Sequence, residues 1–249
     1  MSTTRFADFP SGSPSSSNER ISSYSMKYLD GILRNRDDYF QSIFRNESVG
    51  RQILVLVVIV VLLSGFHGLV MGLSTGWLQM LVSAVKVPSL YLITLAVCYP
   101  VLYVVNVIMG SHLGFLQTLA LILLAMALNA ILLASCSPIV LFFTLTGAKY
   151  DFLKLLHVAI FGFSGLWAMV GLWRGLEAMC ESSSLYPKQA VRIMQVWIVI
   201  FAFVGTQVAW SLRPFIGSPD RDFELFRHGV DLNFYEGVVI SVFQLLGIH

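Results

Sequence analysis

Long apolar runs with almost no charged residues dominate the chain. Arg51 is followed by no Asp, Glu, Lys or Arg until Lys86, and Lys86 by none until Lys149. Uncharged apolar stretches longer than about 18 residues are typical of helices that cross a bilayer. The pattern therefore predicts an all-α fold, a polytopic integral membrane helical bundle.

Five membrane-spanning helices are predicted, with six as the alternative count. They cover residues 53–72, 88–109, 115–135, 152–173 and 193–210. The connector between the first two spans, STGWLQMLVSAVK, is apolar enough to lie along the membrane interface. Pro88 then begins the second span, at a helix position where its missing N–H has no consequence.

The segment SPIVLFFTLTG, which contains Pro138, leaves the span count open. Pro138 is expected to break or kink the helix, and about ten apolar residues follow before Gly147. That length is too short to cross a bilayer alone. The segment is either a kinked extension of the third helix or a half-buried arm, and a sixth crossing formed here would reverse the side of the C-terminal tail.

Polar and amphipathic segments flank the predicted bundle, which occupies residues 52–211. Residues 1–21 are rich in Ser and Pro, which predicts a disordered polar tail. Residues 22–51 carry apolar residues at helical spacing between charged ones, which predicts an amphipathic interfacial helix, or else a helix packed on a partner. Residues 212–249 are predicted to form a cap at the interface, with four candidate cap or docking residues: Arg213, Phe215, Phe223 and Arg227.

Composition and charge agree with a membrane protein and argue against several other classes. The 249 residues are 56% hydrophobic and 12% charged, whereas soluble domains are roughly 45–50% apolar and about 25% charged. The formal charge of +2 is too small and too dispersed to indicate nucleic-acid binding. Three scattered cysteines, with no metal-ligand spacing, are expected to be small core residues.

The distribution of basic residues predicts the orientation in the membrane. With five spans, ten Lys and Arg residues lie on the side of the N-terminus and six on the other side. This bias predicts a cytoplasmic N-terminus and an external C-terminal tail. The first apolar run begins near Ile53, too late for a cleavable signal peptide. The expected location is a bacterial inner membrane, with a eukaryotic endomembrane as the alternative.

Four polar residues inside predicted spans are candidates for function. Lys154 and His157 lie on one helix face, and ionisable groups within a span are functional candidates by default. Asn106 and Asn129 are either hydrogen-bonded between helices or line a polar path. The residues that would serve a small transporter or channel subunit are therefore Lys154, His157, Asn106 and Asn129, although Lys154 is also close enough to the span boundary to reach the headgroups.

Two further features have a structural and a functional interpretation. Ser64, Gly68 and Gly72 place a small residue at every fourth position of the first span, which favours close helix packing within the chain or, alternatively, dimerisation. His67 and His157 are the candidate ligands if the protein were a pigment- or haem-binding membrane subunit. No cofactor or metal motif supports that alternative.

The leading prediction is a non-enzymatic membrane scaffold or accessory subunit. The sequence carries no nucleophile and base pair, phosphate-binding loop, zinc spacing or carboxylate dyad that would indicate an enzyme. The expected partners are the lipid bilayer and other membrane protein subunits or a second copy of the chain, with no nucleic acid.

Several blocks of the sequence are similar to segments of known membrane protein families. They include AVKVPSLYLITLAVCYPVLYVVNVIMG, SPIVLFFTLT, WSLRPFIG, FELFR and NFYE. In their order, from about Tyr28 to the end, they resemble a family of uncharacterised bacterial multi-pass membrane proteins. The layout is also similar to that of the Ypt/Rab-interacting Golgi membrane proteins, but their Asp-Leu-Tyr-Gly-Pro motif is absent here. Neither resemblance implies a catalytic residue.

Overall fold

The computed structural model describes residue 43 and residues 48–108, 114–182, 188–216 and 234–246. These ranges contain six α-helices: α1 Val49–Gly72, α2 Trp77–Ile108, α3 Phe115–Leu145, α4 Tyr150–Ser182, α5 Lys188–Ser211 and α6 Phe234–Leu246. The prediction of an all-α fold is confirmed. The polar tail and nearly all of the predicted amphipathic helix lie outside the described residues.

Four of the helices are long and apolar enough to cross a membrane, which agrees with an integral membrane protein. In the described ranges these are Val49–Gly72, Trp77–Ile108, Phe115–Leu145 and Tyr150–Arg174. The predicted fifth span lies within α5, where Val199–Ser211 forms a shorter apolar helix. The count of five spans therefore stays a prediction.

The predicted interfacial connector between the first two spans is wrong. Only residues 73–76 separate α1 from α2, and Gly76 turns the chain with φ +127°, a conformation that favours glycine. Trp77 already begins α2, so Pro88 lies inside that helix and not at its start. Proline is tolerated there because neighbouring helices and local hydroxyl groups satisfy the freed backbone in membrane proteins.

The segment around Pro138 continues the third helix. The α3 helix runs unbroken from Phe115 to Leu145, with Pro138 inside it. Its chain then turns at Gly147, where φ is +76°. The segment is therefore an extension of the third helix and does not form a separate half-buried arm.

The helices enclose α3 and leave α4 at the periphery. In its most apolar window, 61% of α3 is buried inside the protein, against 28% for α4. A continuous buried core of apolar side chains joins α1, α2 and α3, with contributions from α4, Trp197 of α5 and Ile216. The central position of α3 explains why its sequence is apolar on every face.

Small residues of α1 allow its backbone to touch that of α2. A Cβ atom added to Gly72 would lie 2.5 Å from the carbonyl oxygen of Gln79, and one added to Gly68 would collide with the carbonyl oxygen of Ser83. Both contacts are with backbone, which cannot move aside. These two glycines therefore serve packing within the chain.

Replacement of these glycines tests the close contact. We expect Gly68→Ala and Gly72→Ala each to destabilise the protein by about 1–3 kcal/mol, because the added methyl group forces the two helices apart. Thermal unfolding in mild detergent measures the effect. Gly50→Ala is the matched control on α1, because an added Cβ meets nothing within 4 Å there. Equal melting of all three variants would contradict the assigned packing.

Candidate functional site

Buried polar side chains gather at one end of the bundle, where α1, α3 and α5 end and α2 and α4 begin. We call this region the polar end. The pairing of Gly72 with Gln79 and the contact of Phe143 with Phe152 place these helix termini together. The polar end is formed by the backbone carbonyl of Pro214 and by eight polar side chains: His67, Gln79, Ser83, Lys86, Ser137, Lys154, His157 and Ser241.

Three polar residues of α2 bind the chain that follows α5. Gln79, Ser83 and Lys86 recur at helical spacing on one face and are all buried. Gln79 Nε2 donates to the carbonyl oxygens of Pro214 at 3.1 Å and Phe215 at 2.9 Å. Lys86 Nζ donates to Pro214 at 3.0 Å, and the Ser83 hydroxyl donates to Phe215. We call these three residues the α2 cradle.

The cradle solves a backbone problem at a helix end. The Pro214 and Phe215 carbonyls lie beyond Ser211, the last residue of α5, and an unsatisfied carbonyl in an apolar environment is costly. The cradle supplies side-chain donors to two such carbonyls. A lysine also contributes positive charge near the negative end of the α5 dipole.

Residues 213–216, which we call the inserted segment, follow α5 and pack against α2 and the core. Pro214 and Ile216 are buried, and Phe215 packs against the apolar core. Phe215, one of the four predicted cap or docking residues, is half-buried at this position. The Arg213 guanidinium lies over the Trp210 ring, 3.9 Å from its centroid, in a cation–π contact. The other two candidates of the cap, Phe223 and Arg227, lie outside the described residues.

Lys154 holds the last helix against α4. Its Nζ atom donates to the Ser241 hydroxyl at 2.6 Å and to the carbonyl oxygen of Gly237 at 3.3 Å. Gly237 also permits close contact with α5, because an added Cβ would lie 2.7 Å from the Trp210 ring. The predicted functional lysine therefore makes bonds that position α6.

His67 and His157 come together between α1, α3 and α4. Their ring centroids are 5.5 Å apart in an edge-to-face arrangement, and both residues are buried. The Ser137 oxygen lies 2.9 Å from His67 Nδ1 and 3.1 Å from the carbonyl oxygen of Leu133, so it connects His67 to α3. His67 also packs edge-to-face on the Phe161 ring, with centroids 5.5 Å apart.

Asn106 and Asn129 lie away from the polar end. Asn106 is buried near the opposite end of α2, and Asn129 lies near the middle of α3. Asn129 lines a small cavity to which Lys154, His157 and Asn106 do not contribute. The four residues proposed for a transport path are therefore not brought to one cavity in the described part of the protein.

Sequence reasoning missed the cradle because it placed Gln79, Ser83 and Lys86 in or beside a connector. Their spacing of four and three residues is the signal that would have marked one polar helix face. Ser137 and Ser241 carried no such signal, because isolated serines are common in membrane helices. Their partners come from elements far away in the sequence.

The side-chain bonds at the polar end connect helices and the segment after α5 to one another. Among the described residues, no group of three or more His, Cys, Asp and Glu side chains could hold a metal ion. Comparison with protein-family models, curated proteins and solved structures found no match to the chain. The geometry of the site is therefore the basis for a functional proposal.

Replacement of Lys86 tests whether the α2 cradle stabilises the segment after α5. We expect Lys86→Met to lower the free energy of unfolding by about 1.5–3 kcal/mol, because a buried carbonyl loses a charged donor. Hydrogen exchange of residues 213–216 and thermal unfolding in detergent measure the change. Ser89→Ala is the control, since Ser89 is on the exposed side of α2 and bonds the carbonyl of Val85 in its own helix. Unchanged exchange at 213–216 would contradict the cradle.

Arg213 provides a second test of the inserted segment. We expect Arg213→Ala to lower thermal stability by about 0.5–2 kcal/mol through loss of the cation–π contact, with membrane insertion unchanged. Arg213→Lys should rescue only part of the loss, because lysine lacks the planar guanidinium that stacks on the ring. If Arg213→Ala melts like wild type and loses a co-purifying protein instead, Arg213 belongs to a docking surface.

Proposed function

We propose that this protein is a non-enzymatic integral membrane scaffold or accessory subunit of a membrane complex. One observation carries the proposal: the Lys86 and Lys154 side chains both bond the C-terminal part of the same chain. Lysines that move ions or substrates need access to a hydrated path. Here the two ammonium groups fix the positions of the inserted segment and of α6.

The proposal includes five spans, a cytoplasmic N-terminus and a polar end on the external side. Support comes from the excess of Lys and Arg near the N-terminus and from the length of α5. The proposed location is a bacterial inner membrane, and a eukaryotic endomembrane is the alternative. The proposed partners are other membrane subunits or a second copy of the chain.

A transporter or channel subunit remains the rival proposal, and the geometry gives it less support. Of its four residues, only Asn129 lines the small cavity between α2, α3, α4 and α5. Lys154 is engaged by α6, and His157 packs against His67. A path through these residues would require the helices to separate.

The scaffold proposal predicts that the protein associates with other membrane proteins or with a second copy of itself. Protein purified from its native membrane in mild detergent, after brief cross-linking, should elute as a defined complex with reproducible stoichiometry. Light scattering of the eluted species and mass spectrometry of its components measure this outcome. A monomer with no cross-linked partner would count against the scaffold.

Flux measurement distinguishes the scaffold from a transporter or channel subunit. Liposomes that contain the wild-type protein should conduct ions and small solutes no faster than empty liposomes. The variants Lys154→Ala and His157→Ala should give the same baseline. A flux in wild type that both variants abolish would overturn the scaffold proposal in favour of a transporter.

A further inference from the structure

The last helix, α6, has a polar side that faces the protein and an apolar side that faces outward. Gly237 and Ser241 are buried, and both accept hydrogen bonds from Lys154. The opposite side of the helix is between 39% and 51% exposed at four residues, which we call the outer face: Val239, Ile240, Val242 and Phe243. A helix on the aqueous surface of a protein has the reverse arrangement, with its apolar residues toward the core. The orientation of α6 therefore suits apolar surroundings.

The contacts of α6 place it beside α4 and α5. Lys154 lies about 6 Å along the helix axis from the start of α4, inside the candidate span Tyr150–Arg174. The Tyr235 ring stacks on Phe203 with centroids 6.4 Å apart, and its hydroxyl is 3.3 Å from that of Thr206. Phe203 lies about 12 Å before the end of α5. Both contacts are with apolar helices at some distance from their ends, so α6 lies at the depth of the bilayer.

The length of α6 and the positions of its polar residues limit how it is held in a membrane. Its 13 residues extend over about 20 Å, which is too short to cross a hydrocarbon core of about 30 Å. Glu236 is in the first turn, where the helix dipole stabilises a negative charge, and Gln244 is near the other end. Between them the outer face carries apolar side chains alone. Hydrocarbon can therefore cover the middle of α6 while its exposed polar residues stay near its ends.

The inner side of α6 offsets the cost of a lysine at this depth. A charged side chain within hydrocarbon is costly unless it has polar partners. Lys154 is half-buried, and its Nζ atom donates to the Ser241 hydroxyl at 2.6 Å and to the Gly237 carbonyl at 3.3 Å. Both acceptors belong to α6. The helix therefore presents polar atoms to the lysine and apolar side chains to its surroundings.

We propose that α6 is embedded near one surface of the bilayer, with lipid acyl chains on its outer face and Lys154 on its inner side. Continuity of the exposed apolar surface supports lipid as the partner. Tyr235, 47% exposed, and Phe203, 54% exposed, join the outer face to the apolar surface of α5. The inference is independent of the scaffold proposal, because lipid would surround a scaffold and a transporter alike.

Collision measurements on nitroxide spin labels test what covers the outer face. Labels are attached to Val239→Cys and Phe243→Cys in a full-length chain whose three native cysteines are replaced by alanine. The protein is reconstituted in nanodiscs of palmitoyl-oleoyl phosphatidylcholine. Leu62→Cys, at a position of α1 that is 64% exposed, is the reference for acyl chains. Ser74→Cys, exposed in the turn between α1 and α2, is the reference for water.

The two α6 labels should behave like the acyl-chain reference. We expect them to collide with oxygen, which dissolves preferentially in hydrocarbon, as often as the Leu62 label does. Collisions with a water-soluble nickel chelate should be several-fold less frequent than for the Ser74 label. Nickel collisions at the level of Ser74 would place the outer face in water. Loss of both kinds of collision would show that a second copy or another part of the chain covers it, and either result overturns the proposal.

A lysine on the outer face provides a second, independent measurement. Val239→Lys should lower the Tm in nanodiscs by roughly 2–4 °C, because it brings a charge into hydrocarbon. Gln244→Lys is the matched control, since Gln244 is exposed and near the end of α6, where a long side chain reaches the headgroups. Equal Tm values for the two variants would contradict the embedded position of α6.

Discussion

The close contact between α1 and α2 is the constraint on which the polar end depends. Gly68 and Gly72 rest on the backbone of Ser83 and Gln79, and the side chains of those same two residues bond the segment after α5. The α2 cradle is therefore supported from one side by glycine packing and occupied from the other by backbone carbonyls. A displacement of α2 would disturb both contacts together.

Polar side chains hold α6 in place in the same way as the cradle holds the segment after α5. In a lipid environment the apolar faces of helices gain little from contact with one another, so packing and hydrogen bonds hold the bundle together. Lys86 anchors the inserted segment, and Lys154 anchors α6 through Gly237 and Ser241. Lys154 is half-buried near the start of α4, whereas Lys86 lies in the third turn of α2 and is buried, so the Pro214 carbonyl is its partner inside the protein.

The sequence allowed prediction of the membrane class and of the approximate position of the apolar helices, because uncharged apolar runs of that length are rare in soluble proteins. The sequence did not allow prediction of the start of α2. A glycine such as Gly76 is compatible both with a tight turn directly before a helix and with the end of a longer loop. The sequence also left open whether the third helix continues through Pro138, because the effect of a proline inside a helix depends on the neighbouring helices. The cradle was not predictable, because its carbonyl partners come from residues more than a hundred positions away. His67 and His157 were noted separately, and only the fold brought them into contact.

Buried polar groups in this protein divide into those with a bond inside the chain and those without one. Gln79 and Ser83 have bonds that fix tertiary structure, which accounts for their burial. The Tyr91 hydroxyl and Asn129 Oδ1 make no such bond within the described residues, although they lie deeper within the spans, where an unsatisfied group is most costly. The burial of Gln79 and Ser83 is therefore offset by bonds that hold the segment after α5, whereas the burial of Tyr91 is accounted for by its ring, which belongs to the apolar core.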